Sequence, residues 1–342
     1  MRSFLFGHSG LRVSEICLGT MTFGTEWGWG SDYETSKAVF DAYAEAGGYF
    51  IDTANRYTEG TSEKYVGEFI RSERDHFVLA TKYSLFDREG DLNHSGNHRK
   101  NLMRSVEGSL RRLGTDFVDL LWLHAWDFTT GAQEVMRGLD DLVRSGKVHY
   151  LGISDTPAWI VAQANTLAQL RGWTAFAGLQ VEYSLVERTP ERELLPMAKA
   201  FDLALTPWAP LGAGILTGKY LDRKETDGRL TGQSSKMNER NLRIARTVVE
   251  VASKLGASPA QVAINWTRQG REQVVIPIVG ARTLQQLEDS LGCLHVQLPE
   301  EALQQLDAAS AVAMGFPHEF LQRDGVRQVM FGGAADQLIR HR

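Results

Sequence analysis

Tyr49-Phe50-Ile51-Asp52-Thr53-Ala54 is a short apolar run that ends in an acid, with Tyr57 five residues past that acid. Two later runs repeat its form. Phe77-Val78-Leu79-Ala80-Thr81-Lys82 ends in a lysine, and Phe117-Val118-Asp119-Leu120-Leu121-Trp122-Leu123-His124 ends in a histidine. Runs this short, apolar on both faces, read as strands of a parallel sheet covered by helices. As parallel neighbours they bring Asp52, Tyr57, Lys82 and His124 to one rim, at the C-terminal ends of the strands.

Outward from these three, strand-like and helix-like segments alternate along the chain. Strands are expected at 14–20, 49–53, 77–82, 117–124, 148–154, 178–183, 203–208 and 274–279. Helices are expected at 33–46, 62–71, 99–113, 132–145, 157–170, 190–200, 239–255 and 284–291. Eight of each at a spacing of roughly 30 residues is the count of an α/β protein of the (β/α)8 TIM-barrel class. Asp32 and Ser62 read as helix N-caps. Gly114, Gly146 and Gly256 stand just past helices, where a left-handed residue is cheapest. Residues 4–13, with a turn at His8-Ser9-Gly10, read as an N-terminal β-hairpin closing the barrel bottom. Extra helices are expected at 258–268, before the eighth strand, and at 299–310, after the barrel. Residues 1–342 therefore form one domain. Within it, 211–238 reads as a cofactor lid, because so long a stretch rich in Gly, Ser, Thr and charge is commonly functional. The C-terminal tail, 312–342, is expected to be irregular and to drape over one mouth.

Composition narrows the function. The 342 residues are 43% hydrophobic and 23% charged, with a net charge of -5. That balance points away from nucleic acid and from anionic membranes. No apolar stretch approaches the length of about 18 residues that a membrane span needs, and residues 1–8 lack the apolar core of a signal peptide. The two cysteines, Cys17 and Cys293, allow no disulfide framework and suit a reducing cytoplasm. His94 and His98 lie in a polar loop and read as solvated, so no metal is expected.

The four rim residues make a proton-transfer set. A tyrosine has a reference pKa of about 10, too high for a ready acid at neutral pH. An adjacent ammonium favours the phenolate and lowers that value. Lys82 can supply the charge, Asp52 can hold Lys82 in place, and His124 can donate a hydrogen bond to a substrate oxygen. Each alone has a plainer reading as a cap, a packing residue or a surface charge. Together at the rim where barrels carry their active sites, they read as a site.

These residues carry a resemblance to the aldo-keto reductases. The matching segments are Leu18-Gly19-Thr20-Met21, Asp52 to Tyr57, Thr81-Lys82, Leu123-His124-Ala125-Trp126-Asp127, Gly178 to Ser184 and Pro207-Trp208-Ala209-Pro210-Leu211-Gly212. The chain looks most like the branch that holds potassium-channel beta subunits and bacterial aryl-alcohol-dehydrogenase-like reductases. The resemblance implies Tyr57 as proton donor, Lys82 and Asp52 as its tuners, His124 as the orienting donor, and a nicotinamide dinucleotide bound without a Rossmann domain.

The residues expected to hold that cofactor follow strand by strand. Gly19, Thr20 and Met21 form the turn after the first strand, beside Asp52. Ser154, Asp155 and Gln180 end the fifth and sixth strands, where they can bond a carboxamide. Trp208 offers an aromatic plane for the nicotinamide. Leu211, Gly212 and Lys219 can reach the pyrophosphate, and Arg229 and Gln286 match family positions against the adenosine. Gly280 and Arg282 precede a helix N-terminus, where barrels often bind phosphate. Arg282 can pair with a 2′-phosphate, which favours NADPH over NADH. Two positions depart from the family's pattern: Asp155 stands where it usually has Asn, and Asp289-Ser290 where it commonly has Glu-Asn.

The expected reaction is reversible reduction of an aldehyde or ketone to the alcohol by hydride transfer. Trp27, Trp29, Trp126 and Phe128 are the candidate substrate walls and suggest an aromatic or bulky apolar carbonyl compound. The alternative is a slow-turnover, cofactor-binding regulatory subunit. A Schiff-base lyase using Lys82 is a further rival. A homo-oligomer is left open.

Overall fold

The computed structural model describes residues 1–221, 234–271 and 273–339. An antiparallel hairpin comes first, β1 (Ser3–Leu5) with β2 (Arg12–Ser14). Eight parallel strands follow: β3 (Cys17–Gly19), β4 (Phe50–Asp52), β5 (Val78–Tyr83), β6 (Val118–Leu123), β7 (Val148–Ser154), β8 (Phe176–Glu182), β9 (Ala204–Trp208) and β10 (Ile278–Val279). Their order is β10-β3-β4-β5-β6-β7-β8-β9. A bridge between Leu205 and Val275 joins β9 to the segment before β10 and nearly closes the ring. Helices surround it: α1 (Tyr33–Glu45), α2 (Thr61–Ile70), α3 (Arg99–Leu113), α4 (Ala132–Arg144), α5 (Ala158–Arg171), α6 (Leu194–Ala200), α7 (Glu239–Leu255), α8 (Pro259–Arg268) and α9 (Leu284–Leu291), with α10 (Glu300–Ser310) after the barrel. This is the (β/α)8 barrel expected from the strand and helix count.

The inside of the barrel is a packed core. Trp122 of β6 is fully buried there, and two glycines on neighbouring strands make the room. A Cβ on Gly152 would stand 2.3 Å from the Trp122 ring, and one on Gly178 would stand 2.3 Å from Phe6. Phe6, in the hairpin's connection, plugs the bottom. Its ring meets Phe50 edge-on at 5.9 Å and Trp122 at 6.1 Å. The hairpin is pinned there by His8 N–H donating to the Asp202 carbonyl at 2.8 Å.

Four elements differ from the sequence expectation. The first strand is split, because the Ser14 hydroxyl donates to the Ile16 carbonyl at 2.9 Å and bends the chain between β2 and β3. Ser62 is not an N-cap. Gly60, at φ 91, takes that place, and the Ser62 hydroxyl instead bonds the Thr20 carbonyl and hydroxyl at 2.7 and 2.8 Å. The eighth strand is only Ile278–Val279. The tail is not irregular throughout: α11 (His318–Leu321) and α12 (Asp324–Phe331) form within it, α12 closed by Gly332 at φ 57. Of the lid expected at 211–238, the described part holds tight turns over Gly212–Thr217, kinked at Ala213 (φ 60) and Gly214 (φ 93). Arg229 lies outside the described residues.

Candidate active site

Asp52 and Lys82 emerge from adjacent strands into the barrel mouth, both buried. They form an ion pair through Asp52 Oδ2. The Lys82 ammonium also donates to the Thr53 carbonyl at 2.8 Å and to the Tyr57 hydroxyl at 2.9 Å. These three acceptors match the three donors of an ammonium. His124, just past β6, stands edge-on to Tyr57 with ring centroids 6.0 Å apart. The parallel register that pairs Asp52 with Ala80, and Lys82 with Trp122, brings the four residues to one place. Beneath them the Thr20 hydroxyl donates to the Asp52 carbonyl at 3.0 Å, and Ser62 ties Thr20 to Thr53.

The electrostatics corrects one expectation. Lys82 does pull the Tyr57 phenol downward, but burial of the hydroxyl outweighs it, and the phenol stands above its ordinary value. Neighbouring charge was legible in sequence; depth was not. For Lys82 itself, burial works against the ammonium, but the charge of Asp52 and the Tyr57 oxygen hold it above its usual range. Burial, then the Lys82 charge, drives His124 well below its usual range. The imidazole is therefore neutral at pH 7, and its buried Nδ1 has no hydrogen-bond partner.

The residues expected to hold a cofactor lie around the same mouth. Ser154 and Gln180 are partners across β7 and β8, and Glu182 faces Trp208 across β8 and β9. No well-aligned hydrogen bond satisfies the buried Ser154 hydroxyl, although it lies close enough to the Asp155 carboxyl to pull that group's pKa down. Gly19 and Gly280 form a close crossing: a Cβ on Gly280 would stand 3.3 Å from the Gly19 carbonyl. Met21 follows, half-buried. Gly212, Ala213 and Gly214 all hold positive φ after Leu211, and Lys219 packs against Gly214. This donor set fits a nicotinamide dinucleotide. Asp155, at φ 41, accepts from the Trp208 indole N–H at 3.2 Å. Desolvation by the surrounding protein raises the Asp155 carboxyl above its usual range, ahead of the lowering by Trp208 and Lys82. Two of the expected adenosine contacts already have partners within the protein: Gln286 accepts from the Arg282 N–H at 3.0 Å, and Asp289 accepts from Gln261 of α8 at 3.3 Å, while Thr283 caps α9.

Backbone strain collects at this end. Eight described non-glycine residues hold positive φ, and all but Asp202 lie in loops leaving the C-terminal ends of strands: Thr58, Glu59, Ser84, Phe128, Asp155, Ala209 and Ala213. Such conformations persist where the surroundings over-determine them, and they cluster at functional sites.

The expected substrate walls divide into two groups. Trp27 meets Tyr57 edge-on at 6.5 Å and Trp29 at 5.6 Å, and its indole N–H donates to Glu59 at 3.2 Å. Trp126 packs on the core, whereas Phe128 is 70% exposed. Sequence reading missed what holds this second group. Buried Asn97 donates from Nδ2 to the Ala125 carbonyl and accepts from the Asp127 N–H, both at 2.8 Å. Asp127 in return accepts from the N–H groups of Asn97, Thr129 and Thr130. The only sequence signal was an Asn among turn formers.

Comparison with known proteins agrees with this geometry. Residues 15–311 match the model of the aldo/keto reductase family. The chain belongs to this family. It is 40% identical over 323 residues to a norsolorinic acid reductase of Emericella nidulans, covering 92% of this chain and 82% of that one. It is 38% identical over 354 residues to an aryl-alcohol dehydrogenase [NADP(+)] of Phanerodontia chrysosporium, covering 97% and 89%. An aldo-keto reductase of Aspergillus calidoustus is 38% identical over 332 residues, covering 92% and 83%. As a member of the aldo/keto reductase family the chain is an oxidoreductase of carbonyl chemistry. No helix among the described residues is long and apolar enough to cross a membrane.

Proposed function

We propose that the chain reduces an aldehyde or ketone to the alcohol with NADPH, reversibly, and that Tyr57 is the proton donor. The observation that carries this is the contact of the Lys82 ammonium with the Tyr57 oxygen at 2.9 Å. A buried cation against the Tyr57 oxygen supports the reading of that oxygen as the source of the proton.

A bound nicotinamide would supply the hydride. The protein's residues do the rest. Tyr57 delivers its proton to the carbonyl oxygen as negative charge develops there. The Lys82 ammonium stabilises the phenolate left behind, and Asp52 keeps that ammonium charged and in place. Neutral His124 offers a hydrogen bond that orients the carbonyl. In alcohol oxidation the same phenolate takes the proton back.

Ser154, Asp155, Gln180 and Trp208 would hold the nicotinamide end, and Gly19, Thr20 and Met21 the floor beside it. Leu211, Gly212, Lys219, Gly280 and Arg282 would take the phosphates, with Gln286 and Asp289 towards the adenosine. The relative named for NADP(+) and the position of Arg282 at the start of α9 support NADP over NAD. Trp27, Trp29, Trp126 and Phe128 suit an aromatic carbonyl compound, in keeping with the relatives' names. Buried free thiols at Cys17 and Cys293 suit the cytoplasm.

The test is a panel of aryl and alkyl carbonyls followed at the nicotinamide absorbance with each cofactor. Steady NADPH consumption with aryl aldehydes or ketones is expected. Absence of turnover with every carbonyl and both cofactors would refute the reading.

A further inference from the structure

Gln180 makes a contact that a cofactor residue does not need. Its amide nitrogen donates to Asp52 Oδ1 at 3.1 Å, and the side chain is 3% exposed. In the ring β10-β3-β4-β5-β6-β7-β8-β9, β8 stands four strands from β4 in either direction. The bond therefore crosses the full width of the barrel mouth. Its direction is chemically determined. An ionised carboxylate only accepts, so the amide nitrogen must face Asp52 and the amide oxygen is turned away from it. Asp52 is thus held at both oxygens, Oδ1 by Gln180 and Oδ2 by Lys82. Lys82 in turn bonds Tyr57 at 2.9 Å.

We propose that Gln180 is a positioning residue for the proton donor: acting through Asp52, it fixes the Lys82 ammonium against the Tyr57 oxygen. This rests on the reading of Tyr57 as the donor. It adds a second duty to Gln180, whose oxygen stays available to a cofactor amide. One side chain then links the cofactor's edge of the mouth to the acid.

The experiment uses Gln180→Glu in cofactor-free protein. The new carboxyl sits against Asp52, and two carboxyls in one buried site share a proton. While it holds that proton it donates to Asp52 as the amide does. Its folded-state pKa is raised above the unfolded value of about 4.3, so its support is present at low pH and lost as pH rises. The melting temperature of Gln180→Glu should lie closest to wild type near about pH 5 and fall progressively below it towards about pH 8. In an Asp52→Asn background the same substitution should show little such widening, because the second carboxyl is gone. Equal widening in both backgrounds would mean that the carboxyl answers burial alone, and the proposal is overturned.

A second variant guards against misfolding. Gln180→Leu should move the pH midpoint of kcat for alcohol oxidation upward by about half a unit or more, since a loosely held ammonium stabilises the phenolate less. A change in cofactor Kd with an unmoved midpoint would also overturn the proposal. The melting experiment needs no turnover, so it is decided whether or not the carbonyl panel succeeds.

Discussion

Lys82 and Tyr57 leave different strand ends, 25 residues apart, and meet with the ammonium 2.9 Å from the phenol oxygen. The contact depends on the parallel register of β4 and β5, which sets Asp52 beside Ala80 and sends Lys82 into the mouth over it. A shift of that register by one residue would turn Lys82 to the other face of the sheet.

The protonation states give a pH dependence with a definite sign. Burial holds the Tyr57 phenol above its ordinary value, so its proton is in place throughout the neutral range. Carbonyl reduction should therefore be flat there and fall only as pH rises past about 10, while alcohol oxidation should climb with pH. His124 is the opposite case. Its folded-state pKa is depressed, so the stability tied to its neutral form is present above about pH 6.5 and lost as pH falls. Melting curves of wild type and His124→Gln should diverge less at low pH than at pH 7. Parallel curves across that range would contradict the assignment of His124 as neutral.

The hairpin plug is a stability element remote from the chemistry. Phe6→Ala deletes a fully buried ring from the barrel bottom and should cost about 3–5 kcal/mol. Denaturant unfolding would measure it. The kcat of the folded fraction should stay within about twofold, because stability and site lie at opposite ends of a barrel.

The loop that carries Trp126 and Phe128 hangs on Asn97. Asn97→Ala removes the two side-chain hydrogen bonds to Ala125 and Asp127. The Ser84 hydroxyl still serves the Ala125 carbonyl, but the half-buried Asp127 N–H loses its partner, at a cost of about 1–3 kcal/mol. KM for bulky aryl carbonyls should rise severalfold while cofactor Kd holds. Equal KM changes for aryl and small alkyl substrates would show that the loop does not form a substrate wall.

The sequence made much of this legible, for a physical reason. Strands buried on both faces must be short and apolar, so a functional group at the end of each run stands out. The eight-strand barrel and the meeting of Asp52, Lys82 and Tyr57 could be read that way. What could not be read depends on distance through space. The Gln180–Asp52 bond joins residues 128 positions apart on opposite strands. The depth of the Tyr57 hydroxyl decides its pKa, yet no local pattern encodes it. The tail's helices, expected as irregular chain, are short and have no buried residues, so no apolar period marks them; Gly332 closes α12 as its C-cap.

The central claim is that Tyr57 donates the proton. Tyr57→Phe keeps the ring and its contacts and removes only the hydroxyl. At saturating NADPH and an aryl aldehyde, kcat should fall by about 10²–10⁴, with the Kd for NADPH, read from fluorescence, changed by less than about twofold. A variant that turns over at close to the wild-type rate would contradict the account.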